Sequence, residues 1–480
     1  MRARDRGAAG RGGHRADRPH PAQQAALVST APPAADRTVR RRRRSWYVYD
    51  WANSAFATSV AGVFLGPYLT ELAQAASDPD GFVRPLGLAL RAEAVYPYLV
   101  SLAALGQILF MPAVASLADR TGRRRLILGL SAFLGAFATM ALWFVQGEAY
   151  LLGGGLFVLA AVAFGCSVSV YNAFLPDLAP PDERDTVSAR GWALGYVGGG
   201  LLLAAHLALF TLAETDVLAL QASEAVRLSL LTGGAWWALF TIVPLVGLRG
   251  GPAPSGAATA IAPDAPGPAG GHSARAALRE LRGAPMVLLF LGAYLLYNDG
   301  LQTVVSQAAV FATEELELGQ GVVAAAFLIV QFAAIGGALA LGALAVRHGA
   351  KRVILASLVV WIAVLGIAVV LPAGQVAPLI VLSVLIGLVL GGTQALSRSL
   401  FSHMAPAGRE AAAFSLFEIA GRGTTWLGPL LFGLSVQLTG SYRVAIASLL
   451  VFFVTGFVAL ALCDVRRAVA QAGNVVPDRL

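Results

Sequence analysis

Residues 115–125 read Ala-Ser-Leu-Ala-Asp-Arg-Thr-Gly-Arg-Arg-Arg and stand between two long apolar runs, 96–118 and 126–147. Each run is long enough to cross the hydrocarbon core of a bilayer as a helix, which takes about 20 apolar residues. A short loop rich in arginine is typical of the cytoplasmic end of a helical hairpin. This stretch therefore predicts a pair of membrane helices, and the rest of the chain repeats the pattern.

The composition excludes whole classes of protein. The 480 residues are 57% hydrophobic and 13% charged, whereas soluble domains carry about 25% charged residues. These values argue against one large soluble enzyme and against overall disorder. The two cysteines, Cys166 and Cys463, lie in apolar runs and offer neither a disulfide framework nor zinc-ligand spacing. Because no nucleotide-binding or catalytic motif is present, we expect no enzyme activity, cofactor or metal.

Apolar runs separated by Gly, Pro and charged residues predict an all-α membrane protein with twelve spans in two six-helix bundles. These runs are too long and too uniformly apolar to be strands of a barrel. The predicted spans are 46–70, 96–118, 126–147, 150–172, 187–212, 228–248, 286–312, 322–346, 353–371, 376–398, 412–437 and 443–463.

The sequence between and beyond the spans predicts the domain organisation. We expect a disordered arginine-rich tail at 1–45, a first bundle at 46–248, a linker at 249–284, a second bundle at 285–464 and a short tail at 465–480. The linker is rich in Pro, Gly and Ala, which indicates flexibility, and its residues 274–282 are typical of a short basic amphipathic helix. The first span reads as a retained helix, since the chain before it is too long for a signal peptide.

The basic residues predict the orientation. The net charge is +8, but residues 1–45 alone hold twelve arginines against three aspartates, so no basic face is left for nucleic acid. Thirty of the 35 Lys and Arg residues fall in segments on the side of the N-terminus. Four fall on the other side, namely Arg84, Arg91, Arg227 and Arg443. The positive-inside rule then places both termini in the cytoplasm, here of a bacterial inner membrane.

The two bundles have related sequences. The Asp119-Arg-Thr-Gly122 loop corresponds at an offset of 227 to Val346-Arg-His-Gly349, and residues 173–180 correspond at an offset of 226 to 399–406. Two matches at nearly one offset indicate a duplicated half. Repeated halves are how many secondary transporters build a substrate site at the membrane midplane.

The motif at 119–125 resembles the signature loop of the major facilitator superfamily. The opening Trp46-Tyr-Val-Tyr-Asp50-Trp-Ala-Asn53 is more specific and resembles the vacuole-effluxer-like branch, named for a fungal vacuolar amino acid exporter. Three further stretches resemble the same branch: 171–176 (Tyr-Asn-Ala-Phe-Leu-Pro), 190–199 (Arg-Gly-Trp-Ala-Leu-Gly-Tyr-Val-Gly-Gly) and 391–399 (Gly-Gly-Thr-Gln-Ala-Leu-Ser-Arg-Ser).

The resemblance implies a carrier that works by alternating access and exports an amino acid or a similar small polar solute, with a proton as a candidate coupling ion. Two other functions stay open. One is a carrier-derived receptor or sensor that binds without transport, and the other is a proton-coupled drug exporter. We expect the lipid bilayer and the solute as partners, with no obligate protein partner.

Polar residues within the spans are the candidate binding or ion-coupling residues, because burying them in a membrane is costly. They are Asp50, Asn53, Tyr171, Asn172, Asn298, Asp299, Gln302, Gln394, Glu418 and Arg422. Four of them also have a structural interpretation. Asp299 fits a buried hydrogen-bond network, Asp50 an interfacial cap beside aromatic anchors, and Glu418 with Arg422 a self-neutralising pair on one helix face.

The loop after the second span supplies the candidate cytoplasmic gate. In the superfamily that it resembles, the aspartate of this loop contacts a helix start in the opposite half. The predicted gate residues are Asp119, Arg120, Gly122, Arg123, Arg124 and, as a carboxylate partner, Glu183. Val346 stands where the second half would place the matching aspartate, so we expect the latch to be one-sided. The alternative is that the arginines only fix the topology.

The topology makes a direct prediction. Accessible tags placed at Gly147 and at Gly319 should both be reachable from outside intact cells, and a tag at either terminus should not. Labelling of intact and permeabilised cells with an impermeant reagent measures this. If both loop tags reacted only after permeabilisation, the even number of spans and the orientation would be wrong.

Overall fold

The computed structural model describes residues 33–179, 184–215, 217–249, 284–405, 417, 421 and 425–474. Within them the chain is a bundle of long helices, as the uniformly apolar runs require. In a bilayer a helix satisfies all its backbone hydrogen bonds within one segment, which is why such runs fold this way. The linker with its expected amphipathic helix, and Glu183, Glu418 and Arg422, lie outside the described residues.

The first half contains eight α-helices and a two-stranded sheet among the described residues. In chain order they are α1 (Pro33–Ser54), a π-helical segment (Ala55–Phe64), α2 (Leu65–Ala75), β1 (Phe82–Val83), β2 (Leu90–Arg91), α3 (Val95–Thr121), α4 (Arg124–Ala141), α5 (Tyr150–Asn172), α6 (Leu175–Leu178), α7 (Arg184–Glu214) and α8 (Ala222–Gly247). The two strands pair antiparallel, with Phe82 opposite Arg91.

The described part of the second half contains helices joined by short connections and no strand. Its elements are α9 (Pro285–Val310), a π-helical segment (Phe311–Glu315), α10 (Gln320–His348), α11 (Ala350–Val370), α12 (Val376–Ser402), α13 (Leu427–Thr439), α14 (Tyr442–Ser448), α15 (Leu450–Leu462) and α16 (Val465–Gln471).

Nine helices in the described part of the chain are long and apolar enough to cross a membrane. The all-α membrane fold is therefore confirmed, while the count of twelve spans stays a prediction. One boundary differs from expectation, because α1 begins at Pro33 and residues 33–45 are helical where we expected a disordered tail. Arg43 explains part of this order, since its Nε donates to the carbonyl oxygen of Leu178 at 2.7 Å.

The loops define the two ends of the bundle. We call the end that holds residues 122–123 and 349 the terminal face, and the end that holds the loops at 145–149 and 371–375 the far face. On the terminal face, Gly122 and Gly349 occupy equivalent positions of the duplicated sequence and have φ of +62° and +88°. Glycine adopts such angles readily, so the repeat seen in sequence is accompanied by a positive φ at the same position of both halves.

Helices α10 and α12 of the second half approach each other closely. Gly337 of α10 lies against the backbone of Leu388, so a Cβ at this position would collide with main-chain atoms that cannot move aside. On α12, Gly387 and Gly391 face the backbone of α10 in the same way. Small residues let two membrane helices approach until their backbones touch, which strengthens their van der Waals contact.

This contact predicts a difference between two adjacent glycines. Gly337→Ala should destabilise the protein by about 1–3 kcal/mol, because overpacking of a close helix contact forces the backbones apart. Gly336→Ala is the matched control, since nothing lies within 4 Å of a Cβ built there. Thermal unfolding in detergent compares them, and equal Tm values for the two variants would contradict the packing argument.

Candidate functional site

A break in the helix that ends with α13 lies at the centre of the candidate site. The chain makes a turn at Thr425 and Trp426, and α13 begins at Leu427. Two consecutive residues of α9 hold the two sides of this break. The Nδ2 of Asn298 donates to the carbonyl oxygen of Gly421 at 2.9 Å, and the backbone N–H of Gly428 donates to Oδ2 of Asp299 at 3.2 Å. One dipeptide of α9 thus clamps a discontinuous helix.

The clamp lies deep in the bundle. Asp299 is about 21 Å along the axis of α9 from Pro285 and about 17 Å from Val310, at 1.5 Å per residue. Its side chain is 1% exposed and that of Asn298 is 4% exposed. Thr303 closes the contact, because its Oγ1 donates to the Asp299 carbonyl oxygen at 2.8 Å and a Cβ on Gly428 would collide with it.

The Asp299 carboxyl is only partly satisfied. Its Oδ2 accepts from Gly428, whereas Oδ1 is buried and has no hydrogen-bond partner among the described residues. Asp299 was a candidate for direct solute contact, but in this conformation it faces α13 inside the bundle. The sequence offered a buried hydrogen-bond network as the structural interpretation of Asp299, and its bond with Gly428 is of this kind.

The neighbouring candidates on α9 and α12 point in different directions. Tyr297 is fully buried, with its hydroxyl 2.6 Å from Oγ of Ser397 on α12. Gln302 is exposed and Gln394 is half-buried, so these two amides have surface available for a ligand. The side chains of Glu418 and Arg422 lie outside the described residues, so the expected pair between them stays a prediction.

Asp50 forms a second polar cluster, in the first half. The hydroxyl of Tyr171 donates to Oδ2 of Asp50 at 2.8 Å, and Nε1 of Trp46 donates to the Tyr171 carbonyl oxygen at 3.1 Å. The Trp46 and Tyr171 rings stack with their centroids 4.3 Å apart. Trp46 and Tyr49 are 1% and 0% exposed, so these aromatic residues are core residues and the expectation of interfacial anchors is wrong for them.

Asn53 and Asn172 lie on either side of this cluster. Asn53 is 5% exposed, and its Nδ2 has no hydrogen-bond partner among the described residues. A buried amide N–H without a hydrogen-bond partner costs free energy, so a hydrogen bond from Asn53 to a solute or to water would be favourable. Asn172, the last residue of α5, is exposed.

The expected gate loop is placed on the terminal face, where α3 ends and α4 begins. Arg120 and Arg123 are exposed, and Asp119 lies in the last turn of α3 with its side chain outside the described part. Arg124 contacts Asp177 at 3.2 Å and the Ala173 carbonyl oxygen at 3.3 Å. Asp177 is a carboxylate partner that the sequence analysis missed, and the pairing expected with Glu183 lies outside the described residues.

Among the described residues, the hydrogen bonds between the two halves that join side chains lie toward the far face. The backbone N–H of Arg91 donates to Oε1 of Gln437 at 2.8 Å, and Nε2 of Gln74 donates to Oε2 of Glu314 at 2.7 Å. Tyr442 donates to the Glu93 carbonyl oxygen at 3.2 Å. The β1–β2 hairpin presents Arg91 for this contact, since Arg91 is its last paired residue. These bonds close the far face between the halves.

Two more bonds extend this closure toward the membrane centre. The Oγ of Ser101 on α3 donates to the carbonyl oxygen of Trp426 at 2.9 Å, which attaches the first half to the break before α13. The Nε2 of Gln320 donates to the Val63 carbonyl oxygen at 2.7 Å, in the π-helical segment of the first half. The break is therefore held from both halves, by Ser101 on one side and by Asn298 and Asp299 on the other.

Sequence reasoning did not find Ser101, Gln74 or Gln437 as functional residues. Each is an ordinary polar residue near the end of an apolar run, and its importance comes from its partner in the other half. The Gly428-Pro429 pair after the break was a usable signal, because Gly and Pro together favour an interrupted membrane helix.

A duplicated bundle of membrane-length helices is the architecture of a membrane transporter of the major facilitator type. Solved structures agree on the fold. The nucleoside transporter NupG matches with a TM-score of 0.61 at 15% identity, over 88% of this chain and 97% of that chain. The xylose transporter XylE from E. coli in an inward open conformation matches with a TM-score of 0.58 at 13% identity, over 88% and 95%.

Sequence relatives give the family. Residues 38–473 match the model of the family described as vacuole effluxer Atg22 like, and the chain belongs to that family. An uncharacterized MFS-type transporter, YxiO of Bacillus subtilis, is 28% identical over 91% of this chain and 98% of its own length. Autophagy-related protein 22 of Pyricularia oryzae is 26% identical over 85% of this chain and 74% of its own length. The resemblance noted in the sequence is confirmed.

The bond from Ser101 gives a prediction about closure. Ser101→Ala should shift the balance toward an open far face by about 2- to 10-fold, because a neutral hydrogen bond contributes about 0.5–1.5 kcal/mol. Spin labels at Glu148 and Gln375, both exposed on the far face of opposite halves, report the separation. The buried Cys166 and Cys463 are first replaced by alanine.

Ser383→Ala provides the matched control. Ser383 is also 4% exposed and donates to a carbonyl oxygen, but that carbonyl belongs to Leu379 of its own helix. Removal of the Ser383 hydroxyl should leave the distribution of distances between the two spin labels unchanged. The same distribution in Ser101→Ala as in the unaltered sequence would show that this bond does not hold the halves together.

Proposed function

We propose that this protein is a secondary active transporter that exports a small polar solute of the amino acid class by alternating access. The observation that carries the proposal is the break before α13, clamped by Asn298 and Asp299 in the middle of the bundle and attached to the first half through Ser101. Discontinuous helices at the midplane are where transporters of repeated architecture place their substrate and ion sites.

The relatives support the direction and the solute class. The family description names an effluxer, and the family resemblance implies amino acid export. The positive-inside rule supports a cytoplasmic terminal face, with both termini in the cytoplasm of a bacterial inner membrane. In that orientation the far face, where hydrogen bonds join the two halves, is the outer face. We propose that rocking of the halves about the break opens the far face in turn.

The proposed solute contacts are polar groups that are accessible or that can make further hydrogen bonds or ion pairs. Gln302 and Gln394 offer accessible amides, and Asn53 offers a buried Nδ2 without a described partner. Arg422 follows Gly421 directly in sequence, and we propose it as the contact for a solute carboxylate. Asp50 with Tyr171 is the proposed contact for an ammonium group.

We further propose that the loop after α3 forms the cytoplasmic gate. Its proposed members are Asp119, Arg120, Gly122, Arg123 and Arg124, with Glu183.

Counterflow in proteoliposomes tests the function. Vesicles preloaded with one unlabelled amino acid should take up the same labelled amino acid faster than empty vesicles for at least one member of a panel of the twenty standard amino acids. A nucleoside and xylose serve as solutes of other classes. Saturable counterflow of an amino acid supports the proposal. Binding without counterflow would favour a sensor, and counterflow of hydrophobic cations alone would favour a drug exporter.

A variant ties the transport to the break. Asn298→Ala should lower amino acid counterflow by about 5- to 150-fold, because an unpaired buried carbonyl at Gly421 costs about 1–3 kcal/mol. Asn474→Ala is the matched control, since its Nδ2 also donates to backbone carbonyls, those of His403 and Ala405, near the C-terminus. Normal counterflow in Asn298→Ala, with the protein folded, would separate transport from the clamp.

A further inference from the structure

We propose that a cavity on the terminal face, between the start of α11 and the end of α15, binds the headgroup of an anionic phospholipid. The cavity has a volume of about 530 Å³ and is also lined by the first residues of α16. This volume lies within the range of about 300–1,000 Å³ that is usual for small-molecule sites. The proposal goes beyond the proposed function and takes from it only the orientation, which places the cavity at the cytoplasmic leaflet.

The polar lining of the cavity is mainly cationic. Lys351 and Arg352 from the first turn of α11 and Arg466 from α16 face one carboxylate, that of Asp464. This carboxylate is already engaged, because its Oδ1 accepts from the backbone N–H of Arg467 at 3.1 Å and so caps α16. Three cations against one occupied carboxylate favour an anionic ligand.

The two cations of α11 have donors available for such a ligand. The Nζ of Lys351 donates to the carbonyl oxygens of Ala461 at 2.9 Å and Cys463 at 2.7 Å. An ammonium group has three N–H donors, so the third remains for an anion. Arg352 is exposed, and within the described part of the chain neither cation forms an ion pair. The first turn of α11 contains no acidic residue, so its two cations lie at the positive end of the helix dipole without a compensating anion.

The rest of the cavity matches the apolar part of a lipid. The other lining residues are Leu355, Ala461, Leu462, Cys463 and Val465. Exposed apolar side chains continue from there toward the membrane centre, Val359 of α11 at 52% exposed and Val458 of α15 at 48%. Val359 lies two helical turns from Arg352, and Val458 one turn from Leu462, so each continues the same face of its helix. A charged headgroup site followed by an apolar strip fits a phospholipid, whereas a soluble phosphate would use only the cations.

A lipid in this cavity would connect helices of the second half that few described bonds join. The Oε1 of Gln471 on α16 accepts from the backbone N–H of Met286 at 3.3 Å, which attaches α16 to the start of α9. The Nδ2 of Asn474 donates to two carbonyl oxygens just after α12, at 3.0 and 2.7 Å. A phosphate bonded to both Arg352 and Arg466 would fasten α16 to α11 as well.

Lipid binding to the purified full-length protein in detergent tests the proposal without any solute. Dioleoyl phosphatidylglycerol, with one negative charge, is compared with dioleoyl phosphatidylcholine, which has the same acyl chains and no net charge. Glycerol 3-phosphate serves as the soluble phosphate. Native mass spectrometry counts the bound molecules, and we expect the first phosphatidylglycerol to bind more tightly than the first phosphatidylcholine.

Substitutions locate the site. Arg352→Gln should weaken binding of the first phosphatidylglycerol about 5-fold, because one cation near anionic lipid contributes about this factor. Arg347→Gln is the matched control, since Arg347 is another exposed arginine on the terminal face but does not line the cavity. Arg466→Gln and Arg467→Gln form a second pair of neighbours on α16, of which only Arg466 lines the cavity. This second pair decides the question if Arg352→Gln fails to fold.

Three results would overturn the lipid site. They are equal affinity for the two lipids, equal binding of phosphatidylglycerol by the members of both variant pairs, and displacement of phosphatidylglycerol by an equal concentration of glycerol 3-phosphate. The last result would indicate a site for soluble phosphate.

The proposed function can fail separately. Tight binding of phosphatidylglycerol that requires Arg352 and Arg466, together with no counterflow of any solute, would support the lipid site and refute the transporter. Amino acid counterflow together with no preference for phosphatidylglycerol would support the transporter and refute the lipid site.

Discussion

The constraint on which the rest of the structure depends is that a helix interrupted inside a membrane exposes backbone groups that neither lipid nor its own turns can satisfy. Here those groups are taken up by side chains of another helix, Asn298 for the carbonyl of Gly421 and Asp299 for the N–H of Gly428. The cost of leaving them unpaired fixes α9 against α13. Ser101 of the first half donates to Trp426 in the same segment, so this segment also joins the two bundles.

The described contacts between the two bundles differ from those within a bundle. Toward the far face, Arg91, Gln74 and Tyr442 each bond across the boundary between the halves. Within the first bundle, by contrast, Asp50, Tyr171 and Trp46 form a compact buried cluster. A rigid element beside an interface made of a few individually weak bonds is suited to rocking, because each bond can break with little cost while the bundle keeps its packing.

Much of this architecture could be predicted from the sequence, because apolar length, basic loops and repeated motifs depend on local pattern. The membrane fold, the family and the equivalence of Gly122 and Gly349 follow in that way. The exact partners could not be predicted. Asp299 was selected for its burial cost, but its partner is a backbone N–H 129 residues away. Asp177, which bonds to Arg124, was not singled out from the sequence at all. Such pairings depend on how helices rotate against one another, which no periodicity encodes.

The π-helical turns at Ala55–Phe64 have an evolutionary consequence. Their wider winding leaves main-chain oxygens available, and those of Ala61 and Val63 receive the side chains of Tyr96 and Gln320. An acceptor supplied by the main chain survives replacement of the residue that carries it. Homologous chains can therefore replace Ala61 or Val63 by other apolar residues that fit the packing and still keep the same acceptors, provided that the unusual winding itself is inherited.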